Sequence, residues 1–191
     1  MIRTITDFGN LAVLLPLVGV VTVWLAAIGQ RRALLWWLTA AALCVAATAT
    51  LKIYFFVCPP LTDLHNPSGH TSLSTLVYGT LTLAVATAVT GWKRVAVIGL
   101  GGAFIGAIGL SRVLVHEHSM PEVVLGSLIG SAALALFAHQ FWSRRPAEPR
   151  LQAMLITAIA LMVMLNGHDL RAEGLLHAVG LYLNHAGMTC F

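Results

Sequence analysis

The chain is a succession of uncharged apolar runs, each close to the length a helix needs to cross a bilayer. Residues 11–29, 33–51, 71–91 and 95–111 carry no charged side chain, residues 123–142 carry only His139, and residues 151–166 form a sixth, slightly short run. A hydrocarbon core about 30 Å thick takes about 20 apolar residues as a helix. Spanning β-strands are shorter and alternate with period two, and these runs do neither. The expected fold class is therefore all-α: a polytopic membrane protein with about six transmembrane helices in a bundle. It forms one integral membrane domain over residues 1–191.

Composition narrows the function classes. Hydrophobic residues make up 58% of the 191 and charged residues 9%, with a mean hydropathy of +0.85, whereas a soluble domain carries about 25% charged residues. A soluble globule this small has too little interior to hide that much apolar surface. The net charge of +4 is explained by topology and points to no nucleic-acid partner. Seven of the eleven basic residues (Arg31, Arg32, Lys93, Arg94, Arg144, Arg145 and Arg150) fall in short loops between runs. Basic loops stay cytoplasmic, so the second loop (about 58–69), the fourth (about 113–120) and the tail from about His168 are expected outside. The first run, followed by Arg31-Arg32, is expected to be an uncleaved anchor with its N-terminus outside. The stretch 170–191 is expected to lie on the membrane surface. Gly102 with Gly106, and Gly126 with Gly130, have the four-residue spacing that lets transmembrane helices approach closely. Cys44 lies mid-run. Cys58 and Cys190 share the outer side, and spacing alone leaves their pairing open.

Charge at membrane depth costs roughly 2.5–3.5 kcal/mol per Lys or Arg on insertion scales, so Lys52, Arg112 and Glu122 need a reason. Each falls at the outer end of an expected span. Snorkelling to the headgroups accounts for any one of them alone. Their neighbours add more: Pro67-Ser68-Gly69-His70 directly precedes the third run, Ser111-Arg112 closes the fourth, and His118 and Glu122 precede the fifth. Four helix ends thus bring Lys, Ser, Gly, His, Arg, His and Glu to one face. Free N–H groups at a helix start form an anion site. Ser119-Met120-Pro121-Glu122 also reads as a capping box.

This constellation resembles the type 2 phosphatidic acid phosphatase superfamily, which has three signatures: Lys, six residues, Arg-Pro; then Pro-Ser-Gly-His; then Ser-Arg, five residues, His, three residues, Asp. The second is complete at Pro67 to His70. The third matches Ser111, Arg112 and His118 at the same spacings, with Glu122 in place of Asp. The first keeps Lys52 and Pro60 but has Pro59 where the family has Arg. The resemblance covers about residues 52–126. It implies a lipid phosphatase in the plasma (bacterial inner) membrane, with its site facing the periplasm. His118 would be the nucleophile that forms a phosphohistidine, oriented by Glu122, and His70 the general acid and base. Lys52, Ser68, Gly69, Ser111 and Arg112 would bind phosphate. The implied substrate is a lipid phosphate or diphosphate, foremost a polyprenyl (undecaprenyl) diphosphate. Alternatives are phosphatidic acid or phosphatidylglycerol phosphate, phosphoryl transfer to a second lipid, and a non-catalytic binder or transporter of lipid phosphates. No cofactor or metal is implied. Asp63, His65, His116 and Glu117 flank the signatures in the outer loops. His65 and His116 are expected as rim residues touching the headgroup. A zinc site made by the four with His70 and His118 is the lesser reading, since the spacings match no zinc motif. The partners are the lipid phosphate and the surrounding membrane lipids, and the oligomeric state is left open.

Overall fold

The computed structural model describes residues 2–58, 66–141, 148–168, 170, 174 and 181–182. The helices are α1 (Ile2–Asp7), α2 (Leu11–Ala27), α3 (Arg31–Val57), α4 (Gly69–Ala88), α5 (Trp92–Leu114), α6 (Met120–Phe141) and α7 (Glu148–Leu165). No strand occurs among the described residues. Among the described residues, five segments are long and apolar enough to cross a membrane: Ile2–Ala27 (α1 with α2), α3, α4, α5 and α6. The sixth expected span is α7, whose apolar part Arg150–Leu165 is shorter. The chain is an all-α polytopic membrane protein. Of the expected surface segment 170–191, all but Leu170, Gly174, Leu181 and Tyr182 lies outside the described residues, as do Pro59, Pro60, Asp63, His65, Arg144, Arg145 and Cys190.

The six apolar runs become α2 to α7, with altered ends. α3 is 27 residues long because Ile53-Tyr54-Phe55-Phe56-Val57 continues the apolar sequence beyond Lys52. At 1.5 Å per residue that is about 40 Å, more than the hydrocarbon core, so the Lys52 end stands at headgroup level. α1 is an addition to the expected set. Asn10 separates it from α2 and caps α2, its side-chain oxygen accepting from the Ala12 N–H at 2.9 Å.

α4 is the axis of the bundle: it is mostly buried and packs against α6, α5, α3 and α2. Its many Ser and Thr side chains would be ill placed against lipid. Inside the bundle they find partners, as with Thr75 Oγ1 to the Thr71 carbonyl (2.7 Å) and Thr48 with Ser72 (3.0 Å). α6 meets α4 through Gly126 and Gly130. A Cβ at Gly126 would sit 2.5 Å from the Ser68 carbonyl oxygen, and one at Gly130 would collide with the Ser72 carbonyl. This pair is the close-approach surface that its spacing predicts. Gly102 and Gly106 are not: a Cβ at either meets nothing within 4 Å. The contacts of α5 run instead through Gly101, against Thr82 of α4, and Gly109, against Val123 of α6 and Thr71 of α4. Spacing selects a helix face without saying which face a partner covers.

Successive spans run in opposite directions, so the bundle has two unlike ends. One end is aromatic: Trp37 meets Phe137 edge-on at 5.6 Å, Phe137 stacks on Phe141 at 5.1 Å, and Trp24 lies 5.8 Å from Phe141. Arg94 and Arg150 work at that end as helix caps, Arg94 on the Ala86 and Val89 carbonyls and Arg150 on Ala27. The other end gathers the last turns of α3 and α5 and the first turns of α4 and α6, and there the polar residues lie.

Candidate functional site

α5 ends in a tight reversal. The Glu117 N–H donates to the Arg112 carbonyl at 3.1 Å and the His116 N–H to the Val113 carbonyl at 3.0 Å, the paired bonds of a Schellman motif. The residue that must turn left-handed is usually glycine. Here it is His116, with φ of 58°. The His118 N–H also reaches back to the Arg112 carbonyl at 3.3 Å. The strained turn therefore folds His118 over the last turn of α5, beside Arg112.

Glu122, in the first turn of α6, holds His118 in place. Its Oε2 lies 3.0 Å from His118 Nδ1 and also accepts from the Ser119 N–H at 3.0 Å. Its Oε1 accepts from the Asn66 N–H at 2.8 Å, and its backbone carbonyl accepts from the Ser68 N–H at 3.1 Å. One buried carboxylate thus ties the α5–α6 turn to the segment before α4. With Nδ1–H donating to the carboxylate, Nε2 carries the lone pair. Burial holds the His118 imidazole below its ordinary range. The Glu122 hydrogen bond pulls the other way, and the positive charges of Arg112 and Lys52 press it further down. His118 is accordingly a neutral base at neutral pH.

α4 starts at the same place. Ser68 is its N-cap and is fully buried, its Oγ accepting from Thr71 Oγ1 at 2.9 Å and from the Thr71 N–H at 3.4 Å. Gly69 and His70 occupy the first turn, whose N–H groups open toward the helix end. Lys52 reaches across from α3: its Cε lies 3.8 Å from where a Cβ of Gly69 would be. Arg112 is buried in the last turn of α5 and pairs with Glu117, while its Nε–H finds no acceptor among the described residues.

The expected site residues thus converge at one end of the bundle, with one change of role. Ser111 is turned toward the protein. Its Oγ donates to the Ile108 carbonyl at 2.7 Å and accepts from Thr6 Oγ1 at 2.7 Å. With its proton given to the helix, Ser111 anchors α1 on α5 where the sequence suggested a phosphate donor. The same Glu122 oxygen meets both the Ser119 N–H, the contact that capping expects, and His118 Nδ1. Among the described residues no three His, Cys, Asp or Glu side chains stand close enough to share a metal ion. Sequence reasoning missed Thr6, Asn66 and the left-handed His116. Asn66 acts through its backbone N–H, which no residue type announces, and Thr6 lies far away in sequence.

No family model matches the chain, and no solved structure matches it significantly. It is similar to an uncharacterized 22.5 kDa protein in the cps region of Klebsiella pneumoniae, with 30% identity over 169 residues that cover 85% of this chain and 78% of that protein. This chain belongs to that protein's family. The aligned length exceeds any one helix pair, so the likeness extends over most of the membrane domain.

Proposed function

We propose that this protein is a membrane lipid phosphatase of the type 2 phosphatidic acid phosphatase kind, acting through a phosphohistidine. The observation that carries the reading is the His118–Glu122 pair at 3.0 Å, folded back over a buried arginine that has an unsatisfied donor. A neutral imidazole fixed by a carboxylate on Nδ1 presents Nε2 as a nucleophile. A guanidinium, an ammonium and a helix start supply the charge and donors that a phosphoryl group needs.

The chemistry runs in two steps. His118 Nε2 attacks phosphorus, an N–P bond forms and the P–O bond to the lipid breaks, while His70 gives its proton to the departing oxygen. Water then attacks the phosphohistidine, His70 takes the water's proton, and the N–P bond breaks to release inorganic phosphate. Arg112, Lys52 and the first-turn N–H groups of α4 stabilise the equatorial oxygens in both transition states. The lipid tail stays in the bilayer. Polyprenyl diphosphate is the first substrate to offer, and phosphatidic acid the second.

Two observations support an outward-facing site in the plasma (bacterial inner) membrane. The basic residues Arg31, Arg32, Lys93, Arg94 and Arg150 all lie at the opposite end of the bundle, as cytoplasmic loops require. Cys58, one residue past the end of α3 at the site's end, is disulfide-bonded, and disulfides persist in oxidising compartments.

The test is phosphate release by purified protein in detergent with EDTA present, from polyprenyl diphosphate and from phosphatidic acid, with His118→Ala in parallel. Release that survives EDTA and disappears in the variant is expected. Release that persists in His118→Ala, or that needs a metal, sinks the proposal.

A further inference from the structure

Arg112 and its partner live in different environments. The arginine side chain is 6% exposed, whereas Glu117, whose carboxylate pairs with its Nη2, is 54% exposed. The arginine's Nε–H, buried, has no acceptor among the described residues. A guanidinium offers five donors in a rigid fork, and a buried orphan donor is costly. Glu117 therefore fills this anion site only in part. Its backbone is pinned by the N–H bond to the Arg112 carbonyl, but its side chain can swing into water without disturbing the turn.

Around Arg112 the described charges cancel when His118 is neutral: Lys52 and Arg112 stand against Glu117 and Glu122. Any anion that takes Arg112 must evict a carboxylate of unit charge. The phosphodiester of a bulk phospholipid also carries one charge, on two free oxygens, and so gains little by the exchange. A terminal phosphate carries close to two charges on three oxygens and can satisfy the Nε–H as well. Bulk phospholipids surround the site in large excess over any minor lipid, so a bare Arg112–Lys52 pair would be crowded by the wrong headgroup.

We propose that Glu117 is a specificity-determining residue, a built-in competitor for Arg112 that terminal phosphates and diphosphates displace and phosphodiester headgroups do not. The inference rests on the phosphatase reading for its substrate, though not for the competition itself. The test compares wild type with Glu117→Gln in two assays. One is titration of the purified protein with inorganic phosphate, followed by thermal shift. The other is phosphate release from polyprenyl diphosphate in micelles containing increasing phosphatidylglycerol.

Glu117→Gln is expected to bind inorganic phosphate about fivefold or more tightly than wild type. It is also expected to show a lower KM, and to become inhibited by phosphatidylglycerol where wild type is not. Equal or weaker phosphate binding by the variant, or equal inhibition by phosphatidylglycerol, overturns the inference. If the variant gains phosphate affinity but wild type releases nothing from either lipid, the phosphatase reading fails and the competition stands. If wild type turns over and the variant is unchanged in both assays, the phosphatase reading stands and the role of Glu117 falls. Absence of phosphate binding in both proteins overturns the inference as well.

Discussion

Glu122 serves the helix and the histidine through one oxygen. Its Oε2 takes both the Ser119 N–H and His118 Nδ1, and its Oε1 takes the Asn66 N–H. Glu122→Gln therefore keeps the helices but sets its NH2 against one backbone N–H, removes the charge and unsettles the tautomer of His118. Phosphate release is expected to fall by about 10²- to 10⁴-fold, with an unchanged circular dichroism spectrum. The pH profile gives an independent check. Burial lowers the pKa of His118 from its ordinary 6.5, and in the proposed mechanism the neutral form is the nucleophile. Activity should therefore hold as pH falls to 6.5 and decline only below it. Stability follows the same sign: below 6.5 the unfolded imidazole takes a proton that the folded one refuses, so folding weakens there. Because the Glu122 bond raises this pKa, Glu122→Gln should move the acid limb lower still. A limb above 6.5 would contradict the placement of His118. At this scale the sequence was largely readable, since Pro67 to His70 and Ser111 to Glu122 are contiguous signatures. What it hid was the partner of each group: the hydroxyl of Ser111 looks the same in sequence whether it meets phosphate or Thr6.

Two elements carry the site's geometry, the α5–α6 turn and the α4–α6 contact. In the turn, His116 adopts a left-handed backbone at a position where glycine is at ease. His116→Gly should be tolerated, because the strain it relieves offsets the looser unfolded chain. His116→Val, β-branched, should cost about 1–2 kcal/mol and lift His118 from Arg112, seen as a lower melting temperature together with lost activity. At the contact, Gly126 and Gly130 lie against the backbone carbonyls of Ser68 and Ser72, so even one methyl group forces the two helices apart where Ser68 and Glu122 bond. Gly130→Ala should destabilise by about 1–3 kcal/mol, whereas Gly102→Ala, with nothing near its Cβ position, should leave the melting temperature within experimental error. Equal effects of the two substitutions would refute the assigned packing face.

Across the whole molecule, polarity is sorted by depth. The Trp24, Trp37, Phe137 and Phe141 cluster and the capping arginines Arg94 and Arg150 occupy one end of the bundle, and Lys52, His70, Arg112, His118 and Glu122 the other. The orientation that follows can be measured by labelling with an impermeant thiol reagent in intact cells. Met120 and Trp92 are exposed residues at opposite ends, at the starts of α6 and α5. Met120→Cys is expected to label from outside and Trp92→Cys only after the membrane is opened, each against the parent chain. The reverse pattern would place the site in the cytoplasm.

By itself the sequence determined the membrane solvent, the all-α class, the six apolar runs that become α2 to α7 and the polar residues that cluster near their ends. Apolar run length and loop charge are local quantities, and the bilayer converts them directly into topology. The tertiary structure decided what depends on which helix meets which. It made α4 the axis, gave α5 to Gly101 and Gly109 rather than Gly102 and Gly106, joined Thr6 to Ser111 across more than a hundred residues, and set a solvent-facing Glu117 on a buried Arg112. Periodicity marks a face of a helix, but only packing supplies the neighbour, because close approach and hydrogen bonding are properties of pairs.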